Sequence, residues 1–291
     1  MKAMGSILNE IIKGRKTFFV APDKSLFPEI YLEDYLALGY ECYFINNDTN
    51  HSFESKLELI LTVFKDSILF INIDYPIQNT TWEILIKKLV KRFPEAYIGV
   101  IYAKKQNMED REAIERYYLY QLGLRCGCIQ LEYQKKNNFS IFEKTLFANQ
   151  AMGRRKNVRA LCTSSCTMKF RDKADVLKTY SLSDISLSHF TIAVGFAEAD
   201  NFKDYEKIHG IQFYVKGLHF ISDAVLFTTR ETESNKLLVF AFEKGNGQVG
   251  LENLNRQLLI PKLYQIMEAN CRQVLDKLFN STVQLRDPSQ N

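Results

Sequence analysis

The chain has 291 residues, 46% of them hydrophobic and 25% charged, with a formal net charge of +4. That length exceeds what one hydrophobic core usually fills, so two domains are expected. The charge is too small to make an electrostatic case for a nucleic-acid polymer as partner. The longest apolar runs, such as residues 67–73, are too short to cross a bilayer. Asn9 and Glu10 interrupt the apolar patch near the N-terminus, which does not read as a signal peptide, so a cytoplasmic protein without membrane insertion is expected.

Residues 1–16 read as a helical N-terminal extension, and residues 17–152 then repeat one rhythm. Short apolar runs at 17–21, 41–45, 67–73, 97–102 and 125–131 read as strands. Between and after them, 29–38, 53–65, 81–92, 109–122 and 139–152 carry apolar residues at helical spacing. Continuous apolar strands alternating with helices mean a parallel sheet covered on both faces, here of flavodoxin-like size. The turn after the first strand reads Ala21-Pro22-Asp23-Lys24-Ser25, with no glycine fingerprint, which argues against a dinucleotide or P-loop site.

This half resembles a receiver domain of two-component signalling, in topology more than in motifs. A receiver places a phospho-accepting Asp four residues before a proline after its third strand, and Asn72 occupies that place ahead of Pro76. Only Asp23 represents the acidic pair after the first strand. The fourth strand ends Tyr102-Ala103-Lys104, without the hydroxyl, and the fifth ends Leu131-Glu132-Tyr133, with an acid where a Lys should stand. Two readings of this half stand: a switch phosphorylated through Asp74, and a degenerate receiver-like scaffold without magnesium that packs against a partner or the second domain, in which Asp74 is an ordinary loop acid.

Residues 153–291 change period. Loose alternation over 158–171, 176–183, 188–196, 211–218, 220–229 and 236–242 reads as short strands of an antiparallel barrel. Residues 253–279 turn helical again, with Pro261 starting a new helix or kinking the first, and 286–291 form a polar tail. The six cysteines (Cys42, Cys126, Cys128, Cys162, Cys166 and Cys271) include no Cys-x-x-Cys pair, and no metal site is expected. Cys126 and Cys128 lie in an apolar run and read as buried reduced thiols; Cys162 and Cys166 lie in a more polar stretch and could be exposed. His51, His209 and His219 are scattered and read as surface residues. No nucleophile–base arrangement stands out, so the chain is expected not to be an enzyme and to need no cofactor.

Two short motifs remain. Gly153-Arg154-Arg155-Lys156-Asn157-Val158-Arg159 places four cations in six residues at the domain boundary. Soon after, Asp184-x-Ser186 sets an acceptor and a hydroxyl on one face of a strand, ahead of His189. Guanidinium forks grip phosphates and the O6/N7 edge of guanine, and stack on purine faces. Together the motifs point to an anionic, guanine-like ligand.

A six-stranded barrel preceded by Arg-x-x-x-Arg, with Asp/Asn-x-Ser-x-x-Gly on an early strand and a C-terminal helix, resembles the PilZ domain, a bacterial receptor for the second messenger cyclic di-GMP. Arg155 and Arg159 match the first motif, Asp184 and Ser186 match two positions of the second, and His189 stands where the family has glycine. The resemblance implies a cyclic di-GMP site made of Arg154, Arg155, Arg159, Asp184, Ser186 and His189, and a protein partner in flagellar or motility machinery. Arg154, preceding the first motif, is associated in that family with an intercalated pair of ligand molecules. At His189 three readings stand: it blocks the approach that glycine permits, stacks on guanine in its stead, or merely fills the strand end. The rival reading is a PilZ-like scaffold that has lost its ligand and acts through protein contacts. A third, nucleic-acid binding through the basic segment, predicts steep salt dependence.

Overall fold

The structure is a computed structural model, which describes residue 11 and residues 14–48, 50–153, 156–162 and 165–284. Most of the expected N-terminal helical extension therefore lies outside the described residues. The chain divides into two compact units, Met1–Lys156 with Arg272–Asn291, and Asn157–Cys271.

The first unit is built on five parallel strands: β1 (Thr17–Val20), β2 (Cys42–Ile45), β3 (Ile68–Asn72), β4 (Tyr97–Ala103) and β5 (Cys128–Leu131), in the order β2-β1-β3-β4-β5. That is the flavodoxin-like order. Helices α1 (Ile30–Ala37), α2 (Phe53–Val63), α3 (Trp82–Arg92), α4 (Met108–Glu115) and α5 (Lys135–Ala148) connect and follow the strands. Their starts are chemically marked. Ser52 accepts from the Ser55 amide, Thr81 from that of Ile84 and Asn107 from that of Glu109, so each cap satisfies an amide with no partner inside its helix. Phe19, Phe27, Phe70 and Phe142 are each at most 2% exposed and pack edge and face between sheet and helices. Each such burial contributes about 1.5–3 kcal/mol.

The helix expected over 109–122 is two segments, α4 and then a π-helical turn, Arg116–Gln121. The wider turn packs Tyr118 into the core, where its hydroxyl is withdrawn from water and its pKa is raised mainly by that burial. The β1/β3 strand ends, where strand order reverses, are stitched by their own side chains. Asn72 donates Nδ2–H to the Ala21 carbonyl (2.9 Å) and accepts from the Asp74 amide (3.1 Å). Asp74 accepts from the Ala103 amide (2.6 Å) and pairs with Lys105. Asp23 accepts from the Ser25 amide (2.8 Å) and hydroxyl (2.6 Å). Among the described residues, no group of three or more His, Cys, Asp and Glu is placed to hold a metal.

In the second unit the strands are β6 (Ala160–Leu161), β7 (Thr167–Arg171), β8 (Leu177–Ile185), β9 (His189–Val194), β10 (Lys207–Val215), β11 (Leu218–Glu231) and β12 (Lys236–Glu243), all antiparallel. The sheet runs β6-β8-β7-β10-β11-β12-β9, and β9 also pairs with β8. Six strands thus close into a barrel, with β6 as a two-residue addition at the end of β8. Closure removes the sheet's open edges. Phe190, Phe213, Phe240 and Phe242 are fully buried inside and stack on one another. Two helices complete the chain, α6 (Phe196–Ala199) and α7 (Asn253–Gln284).

Three expectations change in detail. The strand expected over 158–171 is two strands, because the Cys162 amide bonds the Ser183 carbonyl while the Leu182 amide bonds the Cys166 carbonyl, so the chain meets β8 twice. Cys166 is buried and Cys162 only half-buried, since both lie against that strand. The helix expected to break or kink at Pro261 is one helix with Pro261 inside it. Strands β10 and β11 extend beyond the expected ranges and meet at Lys216–Gly217, both in the left-handed region (φ 47 and 79), as a two-residue hairpin turn requires.

Candidate functional site

The site is built on the hairpin joining β8 to β9. A bulge between Leu182 and Asp184 breaks the β8–β9 register, after which Asp184 pairs with Thr191 and Ile185 with Phe190. A bulge re-aims the residues beside it. Here the Thr191 hydroxyl donates to Asp184 Oδ1 at 3.1 Å. The short strand β6 lies on the other side, with Ala160 opposite Ile185 and Leu161 opposite Asp184. That register delivers the preceding residue, Arg159, to Asp184. Arg159 Nε stands 3.2 Å from Asp184 Oδ1, and Nη1 makes a longer contact of 3.5 Å to Oδ2.

The turn itself is held by Ser186, which is 4% exposed. Its amide donates to the His189 carbonyl (2.8 Å), and its hydroxyl donates to the same oxygen (3.0 Å). The hydroxyl oxygen also accepts from the His189 amide (3.1 Å) and, more weakly, from the Ser188 amide (3.4 Å). The Ser186 side chain is thus spent on shaping the turn. Ser188 Oγ accepts from Asn157 Nδ2 at 2.9 Å, which ties the middle of the Arg-x-x-x-Arg motif to the hairpin, and lies 2.8 Å from His189 Nδ1.

His189 packs edge-on against Phe227, ring centroids 5.7 Å apart. Burial pushes its pKa below the ordinary histidine value, and the nearby Arg159 cation pushes it the same way. The ring is therefore neutral at pH 7. Among the described residues the non-glycine positions with positive φ are Ala21, Asn79, Gln150, Asp175, Tyr205 and Lys216, so the backbone at 189 does not demand a glycine.

Of the residues expected at the site, Arg159, Asp184, Ser186 and His189 come together on this hairpin. Arg154 and Arg155 lie outside the described residues. Asn157, Ser188 and Thr191 also belong to the arrangement. The first two were visible only as the unassigned positions between motif residues, and Thr191 carried no signal until the bulge set it opposite Asp184. Chemically, the hairpin offers a partly exposed guanidinium, a carboxylate that orients it, and a neutral aromatic ring beside both. That set suits an anion with a planar, hydrogen-bonding base.

No family model matches the sequence, and no curated protein does. Over part of its length the structure is similar to solved structures. One is YcgR in complex with c-di-GMP from Escherichia coli, with 16% identity over 44% of this chain and 51% of that one and a TM-score of 0.35. Another is the PilZ domain with c-di-GMP of the same YcgR, with 17% identity over 43% of this chain and 98% of that one and a TM-score of 0.35. A third is the Bacillus subtilis inhibitor of motility, MotI/DgrA, with 11% identity over 43% and 53% of the two chains and a TM-score of 0.30. The match spans about half (51%) of the YcgR chain in the first of these.

Proposed function

We propose that the chain is a cyclic di-GMP receptor whose ligand is taken at the hairpin by Arg159, Asp184 and His189, with Arg155 and Arg154 supplied by the preceding segment. The observation that carries this reading is the Arg159–Asp184 pair, assembled by the β6 register and the β8 bulge at the two motif positions. With ligand present, Arg159 turns its fork to a phosphodiester or to the O6/N7 edge of a guanine, and Asp184 accepts from guanine N–H groups. Ser186 keeps the turn in shape rather than reaching the ligand. The neutral His189 ring offers a face for a base.

Calorimetry with cyclic di-GMP tests this. Wild type is expected to bind, Arg159→Ala and Arg155→Ala to lose about 1–3 kcal/mol of affinity each, and His189→Gly to bind more weakly through loss of the ring face; unchanged or tighter binding in His189→Gly would show that the ring only fills the strand end. No binding by wild type at tens of micromolar would instead favour a scaffold working through protein contacts alone. A stoichiometry near two ligands per chain is expected if Arg154 supports an intercalated pair.

The consequence of binding follows from where the chain changes units. The boundary between Lys156 and Asn157 falls inside Arg-x-x-x-Arg. A dianion gripped by this segment changes the disposition of the two units and, through it, the binding of a protein partner, for which motility machinery is the candidate. Small-angle scattering with saturating ligand is expected to differ from the ligand-free profile; identical curves would remove this mechanism while leaving binding intact.

A further inference from the structure

We infer that Phe227, on strand β11 beside the hairpin, is a base-stacking residue of the site, which then has an anion end at Arg159 and a base end at Phe227. The inference rests on the receptor reading above and adds to it a residue outside both motifs.

Phe227 sits where β11 departs from regular pairing. Leu226 lies opposite Phe240 and Thr228 opposite Val239, so Phe227 is an extra residue with no partner on β12. A bulge of this kind re-aims the side chain it inserts. Leu226 is buried, whereas the Phe227 side chain next to it is 56% exposed. The backbone of the bulge is nevertheless held. The Leu226 amide donates to the Glu206 carbonyl (3.1 Å), and the Leu226 carbonyl accepts from the Tyr205 amide (2.9 Å). An exposed ring on a fixed backbone gives up little freedom when a base settles on it.

The neighbour of Phe227 ties it to the site. Its ring meets that of His189 edge to face, with centroids 5.7 Å apart and planes at 73°. Strand β12 runs between them, and its residue at that level is Ala241, paired with His189 on one side and with Val225 on the other. A methyl there is small enough for the two rings to meet across it. The His189 ring is itself anchored, with Nδ1 2.8 Å from Ser188 Oγ. Its pKa is lowered by burial and next by the Arg159 cation, which puts that guanidinium near the ring.

Contacts therefore run from Asp184 to Arg159, to His189 and on to Phe227, all within the second unit. A nucleotide has the same polarity, with an anion on one side of its sugar and a planar base on the other. Single exposed apolar residues are common on soluble proteins. Phe227 differs in being delivered by a bulge to the open side of a residue of the site. Stacking on its ring adds affinity for any purine, since every base has a π-face, while Asp184 reads the guanine N–H groups.

The test is calorimetry with cyclic di-GMP on the full-length wild type, Phe227→Ala, Phe227→Trp and Ile221→Ala, each with its thermal midpoint measured. Ile221 is a comparably exposed apolar residue of the same strand that belongs to no part of the site. Phe227→Ala is expected to bind about tenfold more weakly or worse, Phe227→Trp to bind within about threefold of wild type, and Ile221→Ala within about twofold. The emission of Phe227→Trp is expected to be quenched by ligand beyond any change that wild type shows through Trp82, because a guanine stacked on an indole quenches it. A ring that only covers Ala241 would lower the thermal midpoint on truncation and leave that emission unmoved. Wild-type affinity in a folded Phe227→Ala, or equal weakening in Ile221→Ala, overturns the base end and leaves the receptor reading standing. If Phe227→Ala does not fold, absence of ligand-dependent quenching in Phe227→Trp overturns it. Failure of wild type itself to bind removes the receptor reading, and the base end with it.

Discussion

Arg159 and Asp184 neutralise one another while partly withdrawn from water, their side chains 21% and 11% exposed. A pair so placed is worth more than a surface bridge, because each member left alone would keep a desolvated charge. The neighbour that senses it is His189. Burial and then the Arg159 cation lower its folded-state pKa, while the unfolded chain titrates near the ordinary value of about 6.5. Between those two values the unfolded state binds more protons, so stability falls as pH drops below about 6.5 and levels off once the folded pKa is passed. His189→Gln is expected to flatten that slope. In NMR titration Arg159→Ala is expected to raise the His189 pKa without restoring the ordinary value, since burial is the larger cause. A pH profile of stability identical in wild type and His189→Gln would show that the ring does not carry this linkage.

At the scale of elements, the β8–β9 hairpin depends on one hydroxyl. Ser186 Oγ accepts from two backbone amides and donates to the carbonyl that its own amide also uses. Ser186→Ala deprives two partly buried donors of their acceptor, so a loss of about 1–3 kcal/mol in denaturant unfolding is expected. A loss within 0.5 kcal/mol, the range of ordinary surface changes, would mean that water takes over. The same hairpin shows what a sequence makes legible. The Arg-x-x-x-Arg and Asp-x-Ser spacings are local, and so are the apolar periods behind the five parallel strands and the barrel. The bulge at 182–184, the splitting of 158–171 into two strands and the π turn at 116–121 are not local. They are settled by which partner strand or core position a residue meets, which no short window contains. Ser186 was legible as a motif residue, but its role as a turn brace needed the position of the His189 carbonyl.

At the scale of the molecule, the two units are interleaved in sequence, since residues 272–291 group with the first unit although they follow the barrel. That grouping has a physical contact in it. The ring of Phe279 stacks on His51, centroids 4.0 Å apart and planes within 10°. Two residues on from His51, Phe53 opens α2 and packs against Trp82 at 5.4 Å. Trp82 is the one tryptophan of the chain, is 5% exposed, and donates its indole N–H to the Tyr75 carbonyl at 2.6 Å. Its fluorescence therefore reports the folding of the first unit and is blind to the barrel. Phe279→Ala removes a half-buried aromatic stack worth about 0.5–1.5 kcal/mol beyond its buried area. The expected outcome is a lower midpoint for the Trp82 transition in Phe279→Ala. The β-sheet circular-dichroism transition of the barrel should move by less, because the stack belongs to the first unit. Coincident shifts of equal size in both probes would mean that the two units unfold as one cooperative body, and that the C-terminal stretch belongs to the whole rather than to the first unit.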